Sequence, residues 1–223
     1  MKKKASAPPD QVDQRLLDHY GRYAAEPAPN LVDELLWFML STRTTVTTCE
    51  LVFQEFKAAF PKQESVLTAS LEALAQPLRP SGFSMRRASD IQKSWQLLKE
   101  RFGSITLEPL RTMTVQEAEA CLVALPGVGI KVARCFLQFG LLAPVFAVDT
   151  HIWRISQRLG WIPDQKGGAP KQKLVDAIQA LVPLNDRLSL HVNMIFLGRD
   201  FCTASAPDCA QCPLADLCPT ACR

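Results

Sequence analysis

The stretch Leu125-Pro126-Gly127-Val128-Gly129-Ile130-Lys131 decides how the rest of the chain is read. Just upstream, Thr114-Val115-Gln116-Glu117 has the spacing of a capping box, and Ala118, Leu122 and Leu125 then recur at helical spacing until Pro126 stops the helix. Downstream, Val132, Ala133, Phe136, Leu137 and Gly140 share one face of a second helix, with Lys131, Arg134 and Gln138 on another. Two helices therefore meet at a short hairpin spanning residues 125–129. Gly127 and Gly129 flank Val128 directly before a helix N-terminus. There, backbone amides can approach an anion closely and the aligned peptide dipoles favour negative charge. The hairpin is a candidate phosphate seat; a plain turn between antiparallel helices is the alternative.

Outward from the hairpin the same periodicity persists, and no sustained alternation of period two interrupts it. Asp10–Ala24 places Val12, Leu16, Tyr20 and Tyr23 on one stripe, and Leu31–Leu40 is apolar nearly all round, as a buried helix would be. Val46–Phe60 and Met85–Phe102 are amphipathic and stop at Pro61 and Gly103. Further helices are predicted over Thr150–Leu159, Lys171–Leu181 and Leu184–Leu197, with a linker at 167–170. The expected class is all-α. The chain has 223 residues, 48% of them hydrophobic and 21% charged, which excludes disorder as its main state. A chain of that length buries roughly 70% of its unfolded surface, enough for one large domain or two small ones. A net charge of +3 is on its own weak evidence for a polyanionic partner.

Lys2-Lys3-Lys4 is followed by no apolar run of signal-peptide type, and no stretch is long enough to span a membrane. Residues 1–9 are expected to form a flexible tail, and the chain is expected in a reducing intracellular compartment with no membrane partner. Its eight cysteines are then thiols or metal ligands rather than disulfides. Cys202, Cys209, Cys212 and Cys218 are separated by six, two and five residues, so four thiolates can surround one small centre. An iron–sulfur cluster and zinc both accept four thiolates, although zinc sites usually pair two short knuckles and only Cys209 and Cys212 make one here. Cys222 falls outside the four and is expected to be a bystander. Cys49, Cys121 and Cys135 lie in apolar helical runs as small hydrophobes.

Two residues near the hairpin's reach carry candidate chemistry. Lys131 lies in a first helical turn, where the exposed amide ends disfavour a cation, which makes it a candidate nucleophile toward an electrophilic carbon; a phosphate-binding lysine is the sober alternative. Asp149, in Val148-Asp149-Thr150-His151, is a candidate partner and equally a good helix N-cap. His151 can bind phosphate or simply cap and pack.

Taken together, Leu125–Lys131, Val148–His151 and the C-x6-C-x2-C-x5-C tail resemble the endonuclease III family of helix-hairpin-helix DNA glycosylases, over roughly Leu31 to Cys218. The resemblance implies two helical domains flanking a DNA-binding cleft. One is a six-helix barrel, 31–143, containing the hairpin. The other joins 10–30 to 144–223 around a 4Fe-4S cluster held by Cys202, Cys209, Cys212 and Cys218. It also implies the chemistry: Lys131 attacks the anomeric carbon of a flipped nucleotide, Asp149 assists, and the resulting Schiff base permits β-elimination at the abasic site. The expected function is base excision repair as a bifunctional glycosylase and AP lyase, acting as a monomer on double-stranded DNA with damaged bases, oxidised pyrimidines foremost, or abasic sites. The expected setting is the cytoplasm, nucleoid-associated, or another reducing compartment.

Leu40-Ser41-Thr42-Arg43 resembles the family's Leu-Ser-x-Gln stretch, with Arg43 where a glutamine fills the gap left by the flipped nucleotide. Gly82-Phe83 resembles a Gly-Leu pair whose apolar side chain wedges between bases. With Gly127, Val128, Gly129 and His151, these two residues make up the expected DNA contacts. Ile130 is not basic, and the loop between Cys202 and Cys209 contains no Lys or Arg, so weaker and less salt-dependent DNA binding is expected. The competing classes are a paralogue acting mainly as an AP lyase, a noncatalytic binder of DNA structures, and an iron–sulfur electron carrier.

Overall fold

The computed structural model describes residues 6–165, 170–184 and 187–221, and among these every regular element is helical. Two compact units divide them: Pro27–Ala143, and a second built from the segments up to Glu26 and from Pro144 onward. The all-α expectation holds. The helices are α1 (Pro9–Tyr20), α2 (Leu31–Leu40), α3 (Val46–Ala59), α4 (Gln63–Thr68), α5 (Leu71–Ala75), α6 (Ser84–Phe102), α7 (Val115–Val123), α8 (Ile130–Gly140), α9 (Thr150–Arg158), α10 (Gln172–Leu181) and α11 (Arg187–Asp200).

The continuous unit is built around α2, α6 and α8. Asn30 caps α2 by accepting from the amides of Val32 and Asp33, and Leu31, Leu35, Leu36 and Leu40 are buried below it. Helix α6 contributes Ile91, Trp95 and Leu98 to the same core, and α8 contributes Val132, Ala133, Phe136 and Leu137. Asp33 ties α2 to α3 through Lys57 at 2.6 Å. The capping box forms as expected: Thr114 Oγ1 accepts from the Glu117 amide while the Glu117 carboxylate accepts from the Thr114 amide. Arg134 and Gln138, expected on a polar face, are instead buried. Arg134 pairs with Glu119 of α7 at 2.7 Å, so the two helices of the hairpin are held by a buried ion pair as well as by apolar packing.

The discontinuous unit packs α1 and α9 to α11 around Val12, Leu16, Phe146, Ile152, Ile155 and Met194. The buried polar groups on α11 are used: the His191 Nδ1 makes a 2.9 Å contact with the Ala147 carbonyl, and Asn193 Nδ2 donates to the Gly21 carbonyl at 3.0 Å. Of the segment expected as a tail, 1–5 lies outside the described residues. Ala7, however, is fully buried; its amide donates to Leu159 O and its carbonyl accepts from Trp161 Nε1 at 2.7 Å. Pro9 then opens α1, a position where its missing N–H costs nothing.

Several boundaries differ from expectation for identifiable reasons. Helix α1 stops at Tyr20 because Gly21 adopts φ +84, which leaves Tyr23 outside it. Helices α4 and α5 are absent from the sequence reading because six and five residues are too few to show a period. Leu184 lies outside helix α11, which continues past Leu197 to Asp200. The expected linker lies largely outside the described residues, as does Cys222.

Trp95 is 1% exposed at the centre of the continuous unit, so Trp95→Ala should destabilise the protein by about 3–5 kcal/mol. Leu97→Ala, on the exposed face of the same helix, should shift stability by no more than about 0.5 kcal/mol. Chemical denaturation of the two variants checks the contrast.

Candidate nucleic-acid interface and metal centre

At the hairpin, Gly127 has φ +77, a conformation that side chains rarely adopt, and a Cβ there would lie 2.9 Å from the Cβ of Asp90. Position 127 is glycine for two independent reasons. Val128 is buried and anchors the loop, and Ser94 of α6 donates to the Pro126 carbonyl at 2.9 Å. Gly127 and Gly129 remain exposed. Gly129 is the N-cap of α8 and has no side chain to offer, so the first amides of that helix carry no side-chain cap. An N-terminus without a side-chain cap leaves its amides open to an anion, as the candidate phosphate seat requires.

Lys131 occupies the second position of α8, half-buried, and makes no ion pair within its own unit. Its charge is felt by Cys49 of α3: burial pushes that thiol up to about 11, against the opposing pull of Arg87 and Lys131. Cys49, Cys121 and Cys135 are all buried, as small hydrophobes are.

Arg43 and Phe83, far apart in sequence, line one cavity of about 270 Å³ together with Gly127. Both have left-handed backbones, at φ +56 and +52, and Phe83 is 66% exposed, which is unusual for a large apolar side chain. The cavity also contains Arg86, Arg87 and Asp90, which sequence reasoning missed. The only signal for them was the Arg86-Arg87 pair one turn after Phe83.

In the discontinuous unit, Asp149 is the N-cap of α9, its Oδ1 accepting from the Ile152 amide at 2.8 Å. Among the described residues of that unit, its other carboxylate oxygen makes no hydrogen bond. The His151 ring lies against α11, so close that a Cβ at Gly198 would be 2.5 Å from its Nδ1, and Arg154 Nη2 contacts the same nitrogen at 3.2 Å. This is the capping and packing arrangement for both residues. Lys131 and Asp149 belong to different units.

The four cysteines converge. Cys202, Cys209, Cys212 and Cys218 line a single cavity of about 200 Å³, and burial pushes the Cys212 thiol up to about 11, with Cys202, Cys218 and Cys209 adding to the rise. Four thiols lining one cavity of this size fit a polynuclear iron–sulfur group. Arg158 fastens the loop by donating to the carbonyls of Cys202, Thr203 and Ala204 and to Cys202 Sγ at 3.1 Å. Arg154 adds a bond from Nε to the Cys202 carbonyl at 2.9 Å.

A family model described as HhH-GPD superfamily base excision DNA repair protein matches residues 36–180, and one described as the iron–sulfur binding domain of endonuclease III matches 202–218. Endonuclease III of Bacillus subtilis is 34% identical over 167 residues, 75% of this chain and 69% of that protein. A putative DNA glycosylase of Arabidopsis thaliana is 34% identical over 134 residues, 60% of this chain; the match spans 46% of that protein's length. Among solved structures, a trapped endonuclease III–DNA covalent intermediate, an estranged-adenine complex, matches with a TM-score of 0.79 at 25% identity, covering 95% of this chain and 94% of that one. No helix among the described residues is long and apolar enough to cross a membrane. The first family match takes in the Arg43–Phe83 cavity, the hairpin and the start of α9, and the second begins at the first of the four cysteines. The chain therefore belongs to the HhH-GPD superfamily of base excision DNA repair proteins and carries the iron–sulfur binding domain of endonuclease III.

Proposed function

We propose that this chain is a DNA glycosylase and AP lyase that removes oxidised pyrimidines from double-stranded DNA and cleaves the abasic strand, as a monomer in a reducing intracellular compartment. One observation carries the reading: an amine without an ion-pair partner in its unit, Lys131, stands one residue beyond a glycine-capped, uncovered helix N-terminus. A nucleophile is thus next to a seat for the DNA backbone. Its relatives named as endonuclease III and DNA glycosylase support the same activity.

In this reading the hairpin amides hold a phosphate while the damaged nucleotide is turned out of the stack, because its anomeric carbon is unreachable within the duplex. Lys131 Nζ, as the free amine, forms a bond to C1′ and the base departs with its bonding electrons, to be protonated as it leaves. Ring opening gives an iminium ion, which acidifies the C2′ proton. Loss of that proton expels the 3′ phosphate and cuts the strand. The uncommitted oxygen of Asp149 would stabilise the positive charge that develops on the sugar, or accept the proton that Lys131 must lose. Cys202, Cys209, Cys212 and Cys218 would hold a 4Fe-4S cluster, which supplies cross-links to a segment with little apolar material of its own.

Borohydride trapping on duplexes carrying an abasic site or thymine glycol tests the reading. Lys131→Ala should abolish trapping while duplex binding persists, since at most one phosphate contact is lost. Trapping that survives the substitution would remove Lys131 from this role and move the nucleophile to another amine, whereas a wild-type chain that never traps would favour a noncatalytic binder. Asp149→Asn keeps an equally good cap for Ile152 but removes the charge. Its melting temperature should hold while base excision falls about 10²- to 10³-fold; unchanged excision would leave Asp149 as a cap alone. Purified protein should contain about four iron atoms per chain, and Cys209→Ser should lose them. One zinc per chain without iron would overturn the cluster assignment.

A further inference from the structure

The Arg87 guanidinium donates four hydrogen bonds, every one to a backbone carbonyl. Nε reaches Gly82 O at 3.1 Å, Nη1 reaches Met39 O at 2.9 Å and Leu40 O at 3.3 Å, and Nη2 reaches Thr42 O at 2.6 Å. Met39 and Leu40 lie in the last turn of α2, whose carbonyls have no intrahelical partner, and a cation there also complements the helix dipole. The other two acceptors are more telling. Thr42 immediately precedes Arg43, and Gly82 immediately precedes Phe83, two of the three non-glycine residues with positive φ among the described residues. One planar group therefore fixes the peptide that leads into each of two strained residues, whose left-handed conformations cost about 1–2 kcal/mol apiece unless something holds them. Arg87 lines the same cavity as both of their side chains.

From this geometry we infer that Arg87 is a positioning residue that locks Arg43 and Phe83 as a pair, so that both side chains are already set for insertion when duplex DNA arrives. The inference rests on the proposed DNA-repair function and on the expectation, drawn from the family resemblance, that Arg43 and Phe83 insert into the duplex. Ordering two loops in advance removes a cost that would otherwise fall on DNA binding and flipping. The fork matters as much as the charge: an ammonium has three donors and no planar frame, and cannot span the four carbonyls. Arg87 touches neither sugar nor base in this account; it acts only through the two residues it holds.

A double-mutant cycle tests this, read out in two ways: the trapping rate on a duplex containing an abasic site, and the fluorescence of 2-aminopurine placed opposite an abasic analogue, which rises when the base is unstacked. Arg87→Lys should lower the trapping rate about tenfold or more, in keeping with the loss of charged hydrogen bonds, and should diminish the fluorescence rise. In a background already carrying Arg43→Ala and Phe83→Ala, the same substitution should have no further effect on either readout. An effect of full size in that background would overturn the inference, because Arg87 would then be supporting the fold at large. Wild-type trapping and fluorescence in Arg87→Lys would overturn it equally. If the Arg43→Ala, Phe83→Ala protein itself keeps wild-type fluorescence and trapping, the insertion reading fails and the inference falls with it, an outcome distinct from the other two.

Discussion

Every helix end leaves four backbone groups without an intrahelical partner, and the functional regions of this chain lie where those groups are satisfied, or left open, in unusual ways. The N-terminus of α8 is left open, with Gly129 as its cap and Lys131 in its first turn. The N-terminus of α9 is closed by one oxygen of Asp149, which leaves the other uncommitted. The C-terminus of α2 is closed by Arg87, which reaches beyond the helix to the peptides before Arg43 and Phe83. Helix ends thus account for an open amide terminus, an oriented carboxylate and two fixed segments of positive φ, on a scaffold whose core is ordinary apolar packing.

The arginines show how little formal charge says about a surface. Arg87, Arg154 and Arg158 direct their guanidinium groups at main-chain carbonyls, and Arg111 and Arg187 do the same at Ala28, Pro144, Gln179 and Val182. Arg134 is buried against Glu119. Burial lowers the pKa of Arg87 and of Arg154, although a guanidinium stays charged regardless. These cations serve as internal struts, so net charge alone does not locate a positive surface.

Much of this was legible in the sequence, because the signals were local. Helix α2 has the boundaries its apolar run implied, and the Thr114 box, the hairpin glycines and the Asp149 cap each depend on residues within four positions of one another. The convergence of the cysteines followed from short spacings. What escaped was of another kind. Helices α4 and α5 are shorter than the period that would reveal them. Arg134 and Gln138 look like a solvated face until Glu119 is brought to them by tertiary structure. Arg87 was invisible because three of its four carbonyl partners lie more than forty residues away, and a main-chain acceptor leaves no side-chain pattern to read.

The division of the chain bears on its synthesis. Pro27–Ala143 is continuous, so every contact it needs is available once that stretch has left the ribosome. Its companion unit is not: α1 emerges early, yet the α11 residues that receive Leu16 and Gly21 are made only after the whole intervening unit. Through that interval the Val12 and Leu16 face of α1 has nothing to pack against, and it is there that a nascent chain would engage a chaperone or a neighbouring polypeptide.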